Sequence, residues 1–232
     1  EIIFDIGGGI IGDKEFKAVQ TGGPSGGCIP ASLLDLQVDF DTLNQAGSMM
    51  GSGGMVVMDE DTCMVDVAKY FLSFCQSESC GKCPPCRAGT YRMLQILEDI
   101  TSGKGRPGDI ERLLEMSKNI NEGSLCGLGQ GAPNPILSTI RYFREEYEEH
   151  IYDKYCRAKV CKGLGVFRIE QSECFLCGLC EKACPYDAVK VTRDSYFIDQ
   201  DYCTKCKACY IACPINAVKI EKQGEKTVVR SK

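Results

Sequence analysis

The sequence has a single histidine, His150, and no surplus of positive charge. Its 27 basic residues face 32 acidic ones, a formal net charge of −5, which leaves no basic footprint for nucleic acid. No run approaches the roughly 20 apolar residues of a membrane span, and nothing resembles a signal peptide. The opening, Glu1-Ile2-Ile3-Phe4, lacks a methionine and reads as the middle of an element, so a fragment of a longer chain is expected. A length of 232 residues with 44% hydrophobic and 25% charged content excludes disorder and allows a buried core.

Cysteine is abundant: 17 of 232 residues. That share, about 7%, falls just under that of a short disulfide scaffold, and the cysteines sit at ligand spacing, which a disulfide framework does not require. A reducing, cytoplasmic setting is expected. Near the C-terminus the chain repeats itself at an offset of 29 residues (203 − 174), aligning residues 174–191 with 203–220. Cys174, Cys177, Cys180 and Cys184, then Pro185, form one C-x2-C-x2-C-x3-C-P run. Cys203, Cys206, Cys209 and Cys213, then Pro214, form the other. This is the bacterial two-cluster ferredoxin run, in which three thiolates of a tight loop hold one [4Fe–4S] cubane and the fourth cysteine ligates the other. Cluster one is expected on Cys174, Cys177, Cys180 and Cys213. Cluster two is expected on Cys203, Cys206, Cys209 and Cys184. A pair of zinc knuckles is the alternative, but zinc sites pair C-x2-C with a distant second pair.

A third run, Cys80-x2-Cys83-x2-Cys86, has no fourth cysteine close by; the candidate is Cys126. Alone, this spacing also suits zinc or a [2Fe–2S] cluster. Amphipathic helices are expected over 86–101, 109–120 and 135–150, from apolar residues at helical spacing such as Met93, Ile96, Leu97 and Ile100. Residues 1–60 are glycine-rich, with strands expected over 16–19 and 55–58 and a short helix over 42–46 capped by Asp41. The run Gly22 to Gly27 lacks the lysine of a P-loop and the spacing of a dinucleotide fold, so it reads as turns. Residues 1–79 carry 3 basic and 12 acidic groups, net −9, which leaves +4 for the remainder. Each oxidised cubane with its thiolates adds about −2, which that surplus partly offsets.

Taken together, Phe16-Lys17-Ala18-Val19 with Gly22-Gly23-Pro24-Ser25, then Gly47 to Gly54 with Val57 to Glu60, then Glu78 to Arg87 with Cys126, resemble the C-terminal half of the NADH-oxidising, flavin-bearing subunits of respiratory complex I and their hydrogenase relatives. The added ferredoxin resembles the β subunit of a cytoplasmic electron-bifurcating [FeFe]-hydrogenase, with NADP-reducing hydrogenases close by. The resemblance implies an α+β chain in modules: an SLBB-like β-grasp module at 1–60, a helical-bundle [4Fe–4S] domain at 61–149 using Cys80, Cys83, Cys86 and Cys126, a linker at 150–166, a two-cluster ferredoxin domain at 167–222, and a tail at 223–232. It implies FMN and NAD(H) in an absent N-terminal domain, within whose last helix Glu1 would fall, and the helical-domain cluster as first electron acceptor. Implied partners are an [FeFe]-hydrogenase catalytic subunit, a small [2Fe–2S] subunit and ferredoxin, in a hetero-oligomer without membrane or nucleic acid. Alternatives are the same wire in an NADP-reducing hydrogenase or a formate dehydrogenase complex, or a ferredoxin-like docking module whose clusters only stabilise the fold.

Twelve cysteines fill three cubanes and five remain: Cys28, Cys63, Cys75, Cys156 and Cys161. With His150, the pair Cys156 and Cys161 offers tetrahedral zinc ligands at the junction before the ferredoxin. Cys75 is expected as the fourth, because it ends a helix (63–75) beside the cluster bundle. Cys28 and Cys63 are expected to be small buried residues, and the alternative to zinc is a free histidine with reduced buried thiols.

Overall fold

The computed structural model describes residues 1–12 and 14–222; the expected tail at 223–232 lies outside the described residues. At the front, β1 (Phe16–Thr21) is the centre of a three-stranded antiparallel sheet, with β2 (Cys28–Pro30) and β3 (Met55–Asp59) on its edges. Alternation divides its contacts: Ala18, Cys28 and Met58 join one apolar cluster, and Val19 and Ile29 join another. The glycine run between β1 and β2 is a tight turn closed by Gly26 N–H on the carbonyl of Gly23 at 2.9 Å. A Cβ at Gly26 would meet the Thr21 carbonyl oxygen at 1.7 Å, so only glycine fits there.

Helix α1 (Phe40–Gln45) is capped by Asp39, whose carboxylate accepts from Thr42 N–H at 2.8 Å. The cap is therefore Asp39 rather than the expected Asp41, which sits in the first turn. Hydrogen bonds to the Thr42 amide and hydroxyl hold the Asp39 carboxyl below the usual range.

Four longer helices follow: α2 (Met64–Ser77), α3 (Thr90–Thr101), α4 (Asp109–Gly123) and α6 (Asn134–Glu148), with the five-residue α5 (Gly127–Gly131) between the last two. Each turns one apolar stripe inward. Leu72, Met93, Leu97, Ile100, Leu113, Ile120, Ile136 and Tyr147 are buried in one continuous core. The periodicity of 86–101 and 109–120 is expressed as expected. The third helix is interrupted at Phe143 (φ −135, ψ 34), whose side chain packs on the sheet-side cluster of Ala18, Met58 and Met64. A π-helical turn at Glu149–Asp153 follows it.

The C-terminal repeat forms two antiparallel ladders. Strand β4 (Val166–Ile169) pairs with β7 (Val218–Glu221), and β5 (Val189–Val191) with β6 (Tyr196–Ile198). Helices α7 (Leu179–Lys182) and α8 (Ala208–Ala212) pack on each other. The symmetry extends upstream of the cysteines. Gln171 Nε2 donates to the carbonyls of Ile169 and Tyr196, and 29 residues on Gln200 Nε2 donates to those of Ile198 and Phe167.

The segment between bundle and repeat belongs to both. Ile151, Cys156, Cys161 and Leu164 are buried in the helical core, whereas Tyr155 packs on the core of the repeat. No helix among the described residues is long and apolar enough to cross a membrane.

Candidate iron–sulfur and metal sites

Cys80, Cys83 and Cys86 lie between the end of α2 and the start of α3, and Cys126 stands at the N-cap position of α5. All four line one cavity of about 160 Å³. Helix α5 can approach because Gly129 has no side chain: a Cβ there would meet Ser124 Cβ at 2.6 Å and Cys86 Cβ at 3.3 Å. Ser79 Oγ lies 3.3 Å from Cys86 Sγ. Ser124 Oγ is buried on the wall of the same cavity and has no hydrogen-bond partner among the described residues. A buried hydroxyl lacking a partner beside four sulfurs fits a bound cluster whose sulfides accept hydrogen bonds.

In the repeat, one small cavity is lined by Cys174, Cys177, Cys180 and Cys213, and a second by Cys184, Cys203, Cys206 and Cys209. Each thus draws three cysteines from one run and the fourth from the other. The fourth cysteines are held by backbone amides: Ala188 N–H donates to Cys184 Sγ at 3.3 Å and Ala217 N–H to Cys213 Sγ at 3.2 Å. Burial pushes both thiols up, but the surrounding amides outweigh it and leave both below the ordinary thiol range. Burial raises Cys180 and Cys203, and pushes Cys209 up to about 11. Thiolates at these three positions need a nearby cation, which the iron of a bound cluster would supply.

The most compact donor set is elsewhere. The ligand atoms of Cys63, His150, Cys156 and Cys161 all lie within 4.8 Å of one another, and all four residues are buried. Cys63 precedes α2, His150 lies in the π-turn after α6, and Cys156 and Cys161 come from the loop that follows. His150 Nδ1 is 2.6 Å from the Glu146 carbonyl, which can only accept, so Nδ1 carries the proton and Nε2 presents its lone pair. Nε2 lies 3.4 Å from Cys63 Sγ and 3.3 Å from Cys161 Sγ, and those two sulfurs are 3.6 Å apart. Hydrogen bonds with the Cys161 and Cys63 thiols draw Cys156 below the ordinary thiol range, and the same bonding to Cys156 raises Cys63 and Cys161. Three sulfurs and an imidazole nitrogen match a Cys3His zinc site.

Cys75, the expected fourth ligand, is not part of this set. It lies near the opposite end of α2 from Cys63, with its Sγ on the Pro24 carbonyl at 3.6 Å. Twelve residues of helix separate the two by about 18 Å. The start of α2 meets the end of α6, so Cys63 reaches His150 and Cys75 does not. Cys63 is buried, as expected, but as one corner of the donor set. Cys28 remains a small buried residue whose amide donates to Ser138 Oγ, and burial pushes its thiol up to about 12.

A buried ion pair encloses Cys63. Lys17 Nζ lies 2.7 Å from Glu146 Oε1 and donates to the Thr62 carbonyl at 2.5 Å, while Glu146 Oε2 accepts from Met64 N–H at 3.0 Å. Both neighbours of Cys63 are thereby fixed, and the Glu146 backbone orients His150.

Residues 66–150 match the model of the NADH-ubiquinone oxidoreductase-F iron–sulfur binding region, and residues 167–220 match that of a 4Fe–4S dicluster domain. The chain is thus an iron–sulfur protein that carries the iron–sulfur binding region of the NADH-ubiquinone oxidoreductase-F family together with a dicluster domain. Among its relatives, it is 53% identical over 193 residues to the NADP-reducing hydrogenase subunit HndC of Solidesulfovibrio fructosivorans, a match covering 83% of this chain and 39% of that one. It is 42% identical over 154 residues to a subunit of the NADH-quinone oxidoreductase of Streptomyces coelicolor, covering 66% and 34%. An NAD+-reducing [NiFe]-hydrogenase in its H2-reduced state superposes with a TM-score of 0.54 at 32% identity, over 60% of this chain and 24% of that one. The chain spans about two fifths or less of the length of these relatives.

Proposed function

We propose that this chain is the electron-transfer part of an NAD(P)-linked oxidoreductase, holding three [4Fe–4S] clusters and one structural zinc. The observation that carries the reading is the sorting of cysteines by the fold: three cavities with four cysteines each, and a separate buried Cys3His set. Bound [4Fe–4S] clusters exchange one electron at a time, whereas a nicotinamide delivers two, so a flavin at the branch point is required. In this reading FMN and the nucleotide are held by protein beyond these residues. Cys80, Cys83, Cys86 and Cys126 hold the acceptor nearest the flavin, and the ferredoxin-like module exchanges electrons with a partner subunit or a soluble ferredoxin. The front sheet and α1 serve as the β-grasp module of that assembly.

The relation to a subunit of an NADP-reducing hydrogenase supports a hydrogenase partner over a formate dehydrogenase, and [FeFe]-hydrogenase with flavin-based bifurcation is the finer form of the proposal. Cys63, His150, Cys156 and Cys161 are the proposed zinc ligands. Zinc there ties the start of α2, the end of α6 and the 154–165 loop together ahead of the dicluster module. Anaerobic purification followed by metal analysis tests the whole assignment. About twelve irons and one zinc per chain support it; eight irons or fewer, or iron without stoichiometric zinc, contradict it.

A further inference from the structure

Ser79 is not one of the four cysteines of the upstream cavity, yet it is fixed against one of them. It lies between the end of α2 and Cys80, and its Oγ stands 3.3 Å from Cys86 Sγ. The same oxygen accepts from Gly81 N–H at 3.3 Å, a turn in which a serine side chain bonds the amide two residues on. Gly81 makes that turn with φ 77, in the left-handed region that glycine takes freely. Its carbonyl accepts from Arg87 Nη1, which holds the turn from the other side.

The direction of the Ser79–Cys86 bond follows from the chemistry of the site. A sulfur that ligates iron is a thiolate and has no proton to give. Gly81 N–H already donates to Ser79 Oγ, which leaves the hydroxyl proton for Cys86. Cys86 is 6% exposed, so water competes little for its sulfur and the bond gains from the low local dielectric. The sites of the repeat differ here. Cys184 and Cys213 receive main-chain amides, from Ala188 and Ala217, whereas Cys86 receives a side chain that a substitution can remove.

Hydrogen bonds to the sulfurs are one of the levers on cluster potential. Reduction adds negative charge to a group already held by four thiolates, and a hydrogen bond to an acceptor strengthens as that acceptor becomes more negative. Ser79 keeps its proton in both states, so one electron enters and no bond to hydrogen breaks. We infer that the Ser79 hydroxyl, acting through Cys86, raises the reduction potential of the site of Cys80, Cys83, Cys86 and Cys126. This positioning role makes the site a readier acceptor for electrons that arrive from the flavin. The inference rests on the cluster assignment of the proposed function.

The test is an anaerobic redox titration of the full chain, followed by electron paramagnetic resonance, in Ser79→Ala, Ser79→Val and Ser79→Thr. Threonine keeps the hydroxyl, and valine matches threonine in shape without it. The transition of the cluster that is not magnetically coupled to another is expected to fall in the Ala and Val variants. A fall of about a tenfold change in the reduction equilibrium is ~59 mV for one electron. That transition should stay in place in Ser79→Thr, and the two transitions of the repeat should not move in any variant. An unmoved transition in both Ala and Val, or an equal fall in Thr and Val, would overturn the role of the hydroxyl. Loss of about four irons in the Ala and Val variants would overturn it too, in favour of a part in retaining the cluster. Iron missing from the upstream site of the unsubstituted chain would instead overturn the cluster reading beneath the inference, and the iron count separates the two failures.

Discussion

Cys63 and Cys75 occupy the same helix region and are both buried, yet only Cys63 shares a site with His150. Replacing Cys63 by Ser should remove stoichiometric zinc, measured by metal analysis, whereas Cys75→Ser should leave it in place; zinc retained in the first variant would refute the Cys3His assignment. Local spacing could not have made this choice, because Cys63 lies 87 residues from His150 and joins it only when α2 packs against α6. By contrast, the histidine with Cys156 and Cys161 was legible, since all three lie in one turn and the loop that follows it. At the upstream cluster site, Gly129→Ala would drive a Cβ into Ser124 at 2.6 Å. That substitution should lower iron by about four atoms per chain while leaving the dicluster spectrum intact.

At the scale of elements, the sheet and the bundle are joined by the Lys17–Glu146 pair, with side chains 12% and 2% exposed. Removing one partner leaves the other charge buried, so Lys17→Met should cost about 3–5 kcal/mol in denaturant unfolding of the zinc-loaded chain. The double change Lys17→Met with Glu146→Gln should cost less, because no uncompensated charge is left. Equal costs would show that the ion pair itself is not what matters. The helices were readable because amphipathic periodicity survives packing: Met93, Leu97, Ile100, Leu113 and Ile120 all point inward as spaced. The break in α6 at Phe143 was not readable. It arises where that ring packs on the sheet-side cluster, a tertiary contact with no local signature. The repeat was legible from its cysteines, while the Gln171 and Gln200 brackets, equally periodic, carry no ligand chemistry to draw attention.

For the whole molecule, the fold sorts the 17 cysteines into three cavity sets of four, three beside His150 and two buried alone, and under the proposed function that division is a wire with a stiffened joint. The crossed cysteine sets that line the two C-terminal cavities follow from the repeat, so that grouping was legible from sequence. How the loop at 156–161 meets the second run was not, because it depends on Lys207, which donates to the Lys159 carbonyl from a backbone position where the first run has Gly178. In the intact flavin-containing assembly, Cys206→Ser should leave NAD(P)H–dye activity unchanged and abolish electron delivery through the dicluster module. Undiminished coupled turnover in that variant would refute the wire.

The most direct measurement is spin quantitation by electron paramagnetic resonance on the fully reduced chain, alongside its iron and zinc content. Three [4Fe–4S] signals are expected, two of them magnetically coupled, with one zinc per chain that Cys63→Ser removes. A single cluster signal, or zinc in place of iron at the repeated cysteine runs, would contradict it.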